Sequence, residues 1–256
     1  MKNTNTFTPM MQKYLETKEQ YKDCILFYRL GDFYEMFFDD AITVSRELEI
    51  TLTGKSCGQE ERAPMCGVPY HAVDGYLTRL VAKGYKVAIC DQVEDPKQAK
   101  GLVKREVTRI VTPGTILDAQ AIDETKNNYI MCIVYIADRY GVSVADITTG
   151  DYFVTELPDG GKLKDEIYRF MPSEIICNEA FYMSGLDLED LKERFHMAVY
   201  SLESWYFDDT ACREKLMEHF KVSSLAGLGL SDYDCGVLSA GALLQYLLET
   251  QKNDLS

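Results

Sequence analysis

The sequence lacks any apolar run that could cross a membrane, since no stretch approaches the roughly 18 consecutive apolar residues that a bilayer span requires. The residues after Met1 also lack the apolar run of a secretory leader. We therefore expect a cytoplasmic location and no contact with a membrane. Histidine is scarce, with 3 residues, and none of the 8 cysteines lies in a C-x-x-C pair. Metal-site spacing is therefore missing, and the sequence predicts no metal or cofactor.

The eight cysteines are isolated from one another along the chain. Without a secretory leader, an even cysteine count carries no implication of disulfide bonds. Isolated thiols in a reducing compartment usually pack as small core residues, and we predict that role for all eight.

A complete nucleotide-binding loop is also missing. Gly54-Lys55-Ser56 matches the end of a phosphate-binding P-loop, but that loop requires an earlier glycine where this sequence has Glu49. Without that glycine the backbone amides cannot wrap a triphosphate, so tight ATP binding is not expected.

Charge is distributed unevenly along the chain. The whole chain carries 27 Lys and Arg against 41 Asp and Glu, for a net charge of -14. Residues 1–115 hold 16 of each sign, so the entire excess of acid lies in residues 116–256. This difference predicts two units with a boundary near residue 115, of which only the first is suited to face a polyanion.

The first unit has the pattern of a mixed α/β domain. A buried strand is predicted over residues 24–30, and a helix is predicted to follow it with Asp32 as N-cap and Glu35 as the capping-box partner. Residues 54–67 are predicted to form a loop. The other predicted elements are helices over 10–22 and 72–83 and strands over 50–53, 86–90 and 107–111.

The second unit begins with three predicted strands over 129–137, 142–147 and 152–156. Helices and strands then alternate, which predicts a sheet with helices on both faces. This order is typical of an RNase H-like fold. A polar run over 118–128 is predicted to be a linker.

Residues 97–109 form the only dense basic run, with five positive charges against one negative. Such a run is often only a solvated surface. Its position in the neutral unit favours contacts with DNA phosphates instead. The pattern alone likewise assigns Phe33 to the core and Glu35 to a cap.

Five strings in order resemble the N-terminal part of the MutS family of DNA mismatch-recognition proteins. These strings cover the first 115 residues, and Ala145-Asp146-Ile147-Thr148-Thr149-Gly150 is similar to the family's connector domain. The five strings are Thr8-Pro9-Met10-Met11, Phe27-Tyr28-Arg29-Leu30-Gly31-Asp32-Phe33-Tyr34-Glu35-Met36-Phe37, Pro64-Met65-Cys66-Gly67-Val68-Pro69-Tyr70-His71-Ala72, Val87-Ala88-Ile89-Cys90-Asp91-Gln92 and Arg109-Ile110-Val111-Thr112-Pro113-Gly114-Thr115.

The resemblance implies an α/β chain of two domains. Residues 1–115 would form the mixed-sheet mismatch-recognition domain, 116–128 a linker and 129–256 the RNase H-like connector domain. The family's lever, clamp and ATPase parts have no counterpart in this sequence, so we expect a binding fragment that is not itself an enzyme. ATP and Mg²⁺ would belong to the ATPase domain of the full-length protein.

The resemblance also implies partners and site residues. The expected partners are mismatched double-stranded DNA, a second MutS copy in the full-length homodimer, and a MutL-type protein at the connector. Phe33 would be the wedge between bases and Glu35 the base contact, taking up a proton where it meets a purine N7. The other DNA-binding residues that we expect are Lys55, Met65, Gly67, Pro69, Tyr70, His71, Lys104 and Arg105.

Two alternatives belong to other functional classes. One is a metal-dependent nuclease that uses Asp146, Asp151 and Glu174 on solvent-exposed turns of the second unit. The other is a protein-interaction module only, which the acidity of residues 116–256 favours.

Overall fold

The computed structural model describes residues 7–94, 101–116, 127–184, 186 and 188–252. The described residues divide into two compact units, unit 1 up to Thr112 with residues 251–252 and unit 2 over residues 113–250, and each is described by itself. The boundaries 1–115, 116–128 and 129–256 stay a prediction. Residues 117–126 of the expected linker lie outside the described part of the chain.

Unit 1 is built on a mixed six-stranded sheet with the order β3-β4-β2-β1-β5-β6. Strand β1 is parallel to β5 and antiparallel to β2, and the other neighbouring pairs are antiparallel. The strands are β1 (Ile25–Leu30), β2 (Phe33–Phe37), β3 (Thr53–Lys55), β4 (Ala63–Pro69), β5 (Val87–Gln92) and β6 (Arg105–Val111). The helices are α1 (Pro9–Gln20), α2 (Phe38–Leu48) and α3 (Val73–Val81).

Helix α1 covers part of one face of this sheet. Its Met11 and Tyr14 are buried against Leu26, Tyr28 and Phe37. The Tyr14 hydroxyl lies 3.3 Å from both the backbone nitrogen and the carbonyl oxygen of Phe37, which fixes the end of β2.

The alternate residues of the same strands are buried on the opposite face. Met36 and Val68 are examples, and Cys66 lies opposite Met36 in the β2–β4 register. The Cys66 thiol donates to the Ala41 carbonyl oxygen at 3.4 Å, so α2 packs on this face. The sheet thus has a helix on each face. On the α1 side, the start of β2 at Phe33 remains exposed.

The prediction of a helix that begins at Asp32 was wrong for residues 33–37. Residues 33–37 form strand β2, which pairs with β1 across the two-residue turn Gly31-Asp32, and the helix begins only at Phe38. Gly31 has a φ of +60°, a conformation that glycine adopts without strain. The spacing of Asp32 and Glu35 imitates a capping box, but β2 is stabilised by pairing on both edges, which outweighs a local cap.

The loop predicted over residues 54–67 is confirmed only for residues 56–62, and the prediction was wrong at both ends. Strand β3 extends to Lys55 and β4 begins at Ala63, and the two pair with each other. Pro64 is accommodated in the ladder beside Gly54. The glycines and prolines that predict a loop here lie instead in a hairpin, and Pro64 precedes the part of β4 that pairs with β2, so its missing N–H interrupts no pairing with that strand.

Unit 2 contains a five-stranded sheet with the order β11-β10-β7-β8-β9. Its first three strands form an antiparallel meander, and β10 and β11 run parallel to β7, an order consistent with an RNase H-like fold. The strands are β7 (Tyr129–Ile136), β8 (Arg139–Asp146), β9 (Asp151–Leu157), β10 (Glu174–Cys177) and β11 (Ala198–Ser201). The helices are α4 (Gly160–Phe170), α5 (Glu179–Tyr182), α6 (Leu188–Phe195), α7 (Asp209–Phe220) and α8 (Cys235–Gln251).

Both faces of this second sheet are covered, as the alternation of elements predicts. Met131 packs with Leu163 of α4 and Leu191 of α6 on one face. Cys132 packs with Leu243 of α8 on the other. These two clusters make β7 the buried centre of the unit.

All eight cysteines are buried and unpaired, which confirms the prediction that they pack in the core. Burial raises the pKa of the Cys66 thiol to about 12, and it does the same for Cys90 and Cys177. Among the described residues, no helix is long and apolar enough to span a bilayer.

Candidate nucleic-acid interface

Strand β2 places Phe33 and Glu35 on the same face of the sheet, because side chains alternate along a strand. Their neighbours Tyr34 and Met36 point to the other face and are buried. Phe33 is 46% exposed, although a phenylalanine at the start of a central strand would ordinarily be covered. The face beyond α1 therefore presents an aromatic ring and a carboxylate two residues apart.

Strand β4 supplies the floor beside these two side chains. Pro69 lies opposite Phe33 in the register, and Gly67 lies opposite Glu35. A Cβ added at Gly67 would lie 3.3 Å from the Tyr34 carbonyl oxygen, 3.5 Å from Glu35 Cγ and 3.8 Å from Phe33 Cδ1. Any side chain at residue 67 would thus occupy the space between Phe33 and Glu35.

Lys55 approaches Glu35 from the edge strand β3. Its Nζ donates to Glu35 Oε2 at 2.5 Å and lies 5.6 Å from the centroid of the Phe37 ring. Both side chains are partly exposed, at 33% for Lys55 and 17% for Glu35. The structure therefore brings together Lys55, expected as a phosphate contact, and Glu35, expected as a base contact.

The expected groove-facing residues at the end of β4 also lie near the turn. The Tyr70 N–H donates to the Asp32 carbonyl oxygen at 2.9 Å, which holds the short 3-10 turn Tyr70–Ala72 on the β1–β2 hairpin. Tyr70 and His71 are both exposed, and their rings meet edge to face with centroids 5.7 Å apart. Met65 lies opposite Phe37, nearer the core.

We define the β2–β4 site as the residues that share this open region. It contains an exposed ring, a carboxylate with a lysine partner, and a floor without side-chain bulk. Such a surface can press an aromatic ring against a flat ligand and offer a polar contact beside it. Its members are Phe33, Glu35, Lys55, Gly67 and Pro69.

Arg29, for which the sequence motifs predict no role, lies behind the site, because it is opposite Tyr34 in the β1–β2 register and shares the face of that residue. Its guanidinium lies 3.6 Å from the centroid of the Tyr70 ring, and its Nε donates to the Gly31 carbonyl oxygen at 2.5 Å. Arg29 also lies 4.0 Å from Asp91. The sequence feature that could have indicated Arg29 is an arginine near the end of an otherwise apolar strand, two residues before Gly31.

Tyr34, the middle residue between Phe33 and Glu35, anchors the site from behind. Its hydroxyl donates to Asp91 Oδ1 at 2.6 Å, and Thr108 donates to the other oxygen at 3.2 Å. Burial and the bond to Asp91 raise the pKa of Tyr34, so this hydroxyl remains a donor. The strand that carries Phe33 is thereby attached to β5 and β6.

Two basic residues in the described part of the run, Lys104 and Arg105, have partners within the protein. Arg105 donates to the Arg29 carbonyl oxygen at 2.6 Å and to the Val103 carbonyl oxygen at 2.7 Å. Lys104 is exposed and pairs with Glu106 at 2.6 Å. Both therefore have protein partners, and their expected phosphate contacts stay a prediction. Residues 97–100 of the run lie outside the described part of the chain.

Of the acids considered for a nuclease, Asp146 and Glu174 are buried among hydrogen-bond donors, and Asp151 is half-buried opposite Asp146 in the β8–β9 register. Asp146 is buried and accepts from the backbone of Asn128 and from both the N–H and hydroxyl of Thr148. Glu174 is buried and accepts from the Tyr246 hydroxyl at 2.5 Å and the Gly114 N–H at 2.9 Å. The expectation that these acids lie on exposed turns was wrong for both. No group of three or more potential metal ligands occurs in the described part of the chain.

The fold and this site define a chain of two α/β domains, each built on its own mixed sheet, with an aromatic and acidic site on the first. Residues 8–120 match the family described as MutS domain I, and residues 128–256 match MutS domain II. The chain belongs to the MutS family, which confirms the resemblance seen in its motifs.

Curated relatives cover nearly all of this chain. A DNA mismatch repair protein MutS of Lachnoclostridium phytofermentans is 66% identical over 249 residues, which are 97% of this chain and 27% of the relative. The proteins of the same name from Ruminiclostridium cellulolyticum and Acetivibrio thermocellus are 54% and 53% identical over 254 residues, covering 98% of this chain and 29% of each relative. The chain thus spans less than a third of the length of the relatives it matches.

Proposed function

We propose that the β2–β4 site recognises mispaired or unpaired bases in duplex DNA, with Phe33 as the inserted wedge. The observation that carries this proposal is the 46% exposure of Phe33 on a central strand, beside a carboxylate and above Gly67. The names of the relatives, which are DNA mismatch repair proteins, support the choice of ligand.

Insertion of an aromatic wedge costs less free energy at a mismatched base pair than at a Watson–Crick pair. An apolar side chain that enters a base step must offset an unstacking cost of a few kcal/mol. Stacking of a base on an aromatic ring returns about 1–3 kcal/mol. A mismatch lowers the cost because its pairing and stacking are already weakened, so discrimination arises from deformability and needs no sequence code.

Glu35 is proposed to contact the displaced base. A carboxylate repels phosphates, so it lowers affinity for every duplex and regains free energy only where it bonds to a base. An ionised carboxylate accepts from a thymine N–H, and a protonated one donates to a purine N7. Glu35 thus serves selectivity at the expense of overall affinity.

We propose that mismatch recognition also requires parts of a longer protein that lie outside this chain. The resemblance implies that clamp and ATPase parts outside this chain close on DNA in a homodimer, with ATP and Mg²⁺ bound in the ATPase. The second unit is proposed to be the connector that contacts a MutL-type partner. Its excess of acid suits contact with protein better than contact with DNA.

Binding of matched and G·T duplexes tests the proposal. We expect a chimera that joins this chain to the remainder of the Lachnoclostridium phytofermentans relative to bind the G·T duplex more tightly. Phe33→Ala should lower that preference about tenfold, since it removes the base–aromatic stacking. Glu35→Gln should raise affinity for matched DNA and reduce the preference.

The control is Phe153→Ala, because Phe153 lies on β9 of the second unit and is exposed to the same extent, at 47%. This variant should retain the preference for the G·T duplex. The same preference in the Phe33→Ala chimera as in the unsubstituted one would refute the wedge.

A further inference from the structure

The contact between Lys55 and Glu35 connects an edge strand to the proposed base-reading residue. Strand β4 lies between the two strands that carry these residues, so the lysine must reach across it. The space that Gly67 leaves beside Glu35 Cγ keeps the carboxylate accessible from this side. The result is the 2.5 Å contact between Lys55 Nζ and Glu35 Oε2.

This ion pair occupies the carboxylate before any base arrives. An ammonium group supplies only donors, so Lys55 competes with any base donor for the same carboxylate oxygen. A Glu35 that bonds to a base must therefore share or exchange its lysine. DNA phosphates offer Lys55 other anions at that moment.

We propose that Lys55 determines the specificity of the β2–β4 site by holding Glu35 Oε2, so that a base contact at this carboxylate weakens or exchanges the ion pair. The inference rests on the proposed function. It assigns Lys55 a role different from a plain phosphate contact, because a phosphate contact positions every duplex equally and does not distinguish matched from mismatched DNA.

Lys55→Met separates the two roles. Loss of the cation should weaken binding to all DNA. It should also free Glu35 from the cost of exchange, and only the mismatched duplex benefits from that release. The ratio of G·T to matched affinity should then rise about two- to fivefold, the range expected for a partly exposed ion pair.

A double-mutant cycle with Glu35→Gln links this effect to the carboxylate. In the Glu35→Gln background, Lys55→Met should leave the affinity ratio unchanged, because the carboxylate that is released no longer exists. Lys55→Arg retains a cation and should keep the ratio of the unsubstituted chimera. Lys13→Met is the matched control, since Lys13 also pairs with a glutamate, Glu16 at 2.7 Å, but on helix α1.

The outcomes distinguish the inference from the function on which it rests. If Phe33→Ala and Glu35→Gln lower the ratio but Lys55→Met leaves it unchanged or lowers it, the inference is overturned and the proposed function stands. If the unsubstituted chimera shows no preference for G·T, both are overturned. A rise in the ratio that disappears in the Glu35→Gln background supports the inference.

Discussion

Each of the two units has a glutamate on a sheet strand, but the two carboxylates differ in exposure and in hydrogen-bonding partners. Glu35 on β2 remains partly exposed and is held by the flexible side chain of Lys55. Glu174 on β10 is buried, and its oxygens accept from a tyrosine hydroxyl and a backbone N–H. The comparison teaches that a carboxylate with an exchangeable partner can read a ligand, whereas one with fixed partners holds the fold together.

The glycines show a parallel difference. Gly67 in unit 1 leaves space beside Glu35, and a Cβ there would lie 3.3 Å from its nearest atom, the Tyr34 carbonyl oxygen, which would have to move by a few tenths of an ångström. Gly141 in unit 2 lies against the start of α8, where an added Cβ would be 2.0 Å from the Cys235 carbonyl oxygen. The first glycine keeps a surface open, and the second permits two backbones to touch.

Gly141→Ala gives the largest expected effect. Because the added Cβ would meet backbone atoms, α8 must move from β8, and we expect a loss of about 3 kcal/mol or more in the free energy of unfolding. Urea unfolding followed by fluorescence of Trp205, the single tryptophan, reports on this unit. Gly160→Ala is the control, with a nearest contact of 3.5 Å. An unchanged urea midpoint for Gly141→Ala would contradict the close packing.

Replacing the two glutamates tests the comparison itself. Glu174→Ala removes the carboxylate that accepts from the buried Tyr246 hydroxyl and the Gly114 N–H, so the free energy of unfolding should fall by about 2–3 kcal/mol. Glu35→Ala removes a partly exposed ion pair and should cost less than about 1 kcal/mol. Urea unfolding of both variants measures the difference. Equal losses would show that Glu35, too, is a structural residue.

Alkaline pH should weaken both units by a smaller amount. Burial raises the pKa of Cys90 in unit 1 and of Cys212 in unit 2 to about 12, from an ordinary value near 9.0. Since the folded chain favours the neutral thiol, this stability is present below about pH 9 and is lost as the pH rises toward 12.

Urea unfolding at pH 7 and pH 10 measures that loss, which should be roughly 1 kcal/mol for each such thiol. Iodoacetamide at pH 8 supplies a second readout, because buried thiols react only after opening. Modification of the folded chain at the rate of the urea-unfolded chain would show that the cysteines are not in the core.

The sequence predicted unit 2 more successfully than unit 1, for a physical reason. Helices such as α4 and α8 and the meander β7–β9 have uninterrupted apolar patterns that local rules recognise. Residues 33–37 are different, because their aromatic run fits either a helix or a strand. Pairing with β1 across the adjacent turn and with β4, which is distant in the sequence, decides between the two.

The same limit applies to the site. Phe33 and Glu35 could be named from their motif, but their common face follows only from the strand. The contact of Glu35 with Lys55 spans three strands, and that of Arg29 with Tyr70 joins segments 41 residues apart. Such pairings depend on the register of the sheet, which no local pattern specifies.

The central claim, that Phe33 unstacks a base at a mismatch, is tested most directly by fluorescence of 2-aminopurine placed beside a G·T pair. Binding of the chimera should raise this fluorescence, because unstacking relieves its quenching. The rise should be lost with Phe33→Ala and retained with Phe153→Ala. An equal rise with Phe33→Ala would contradict the account.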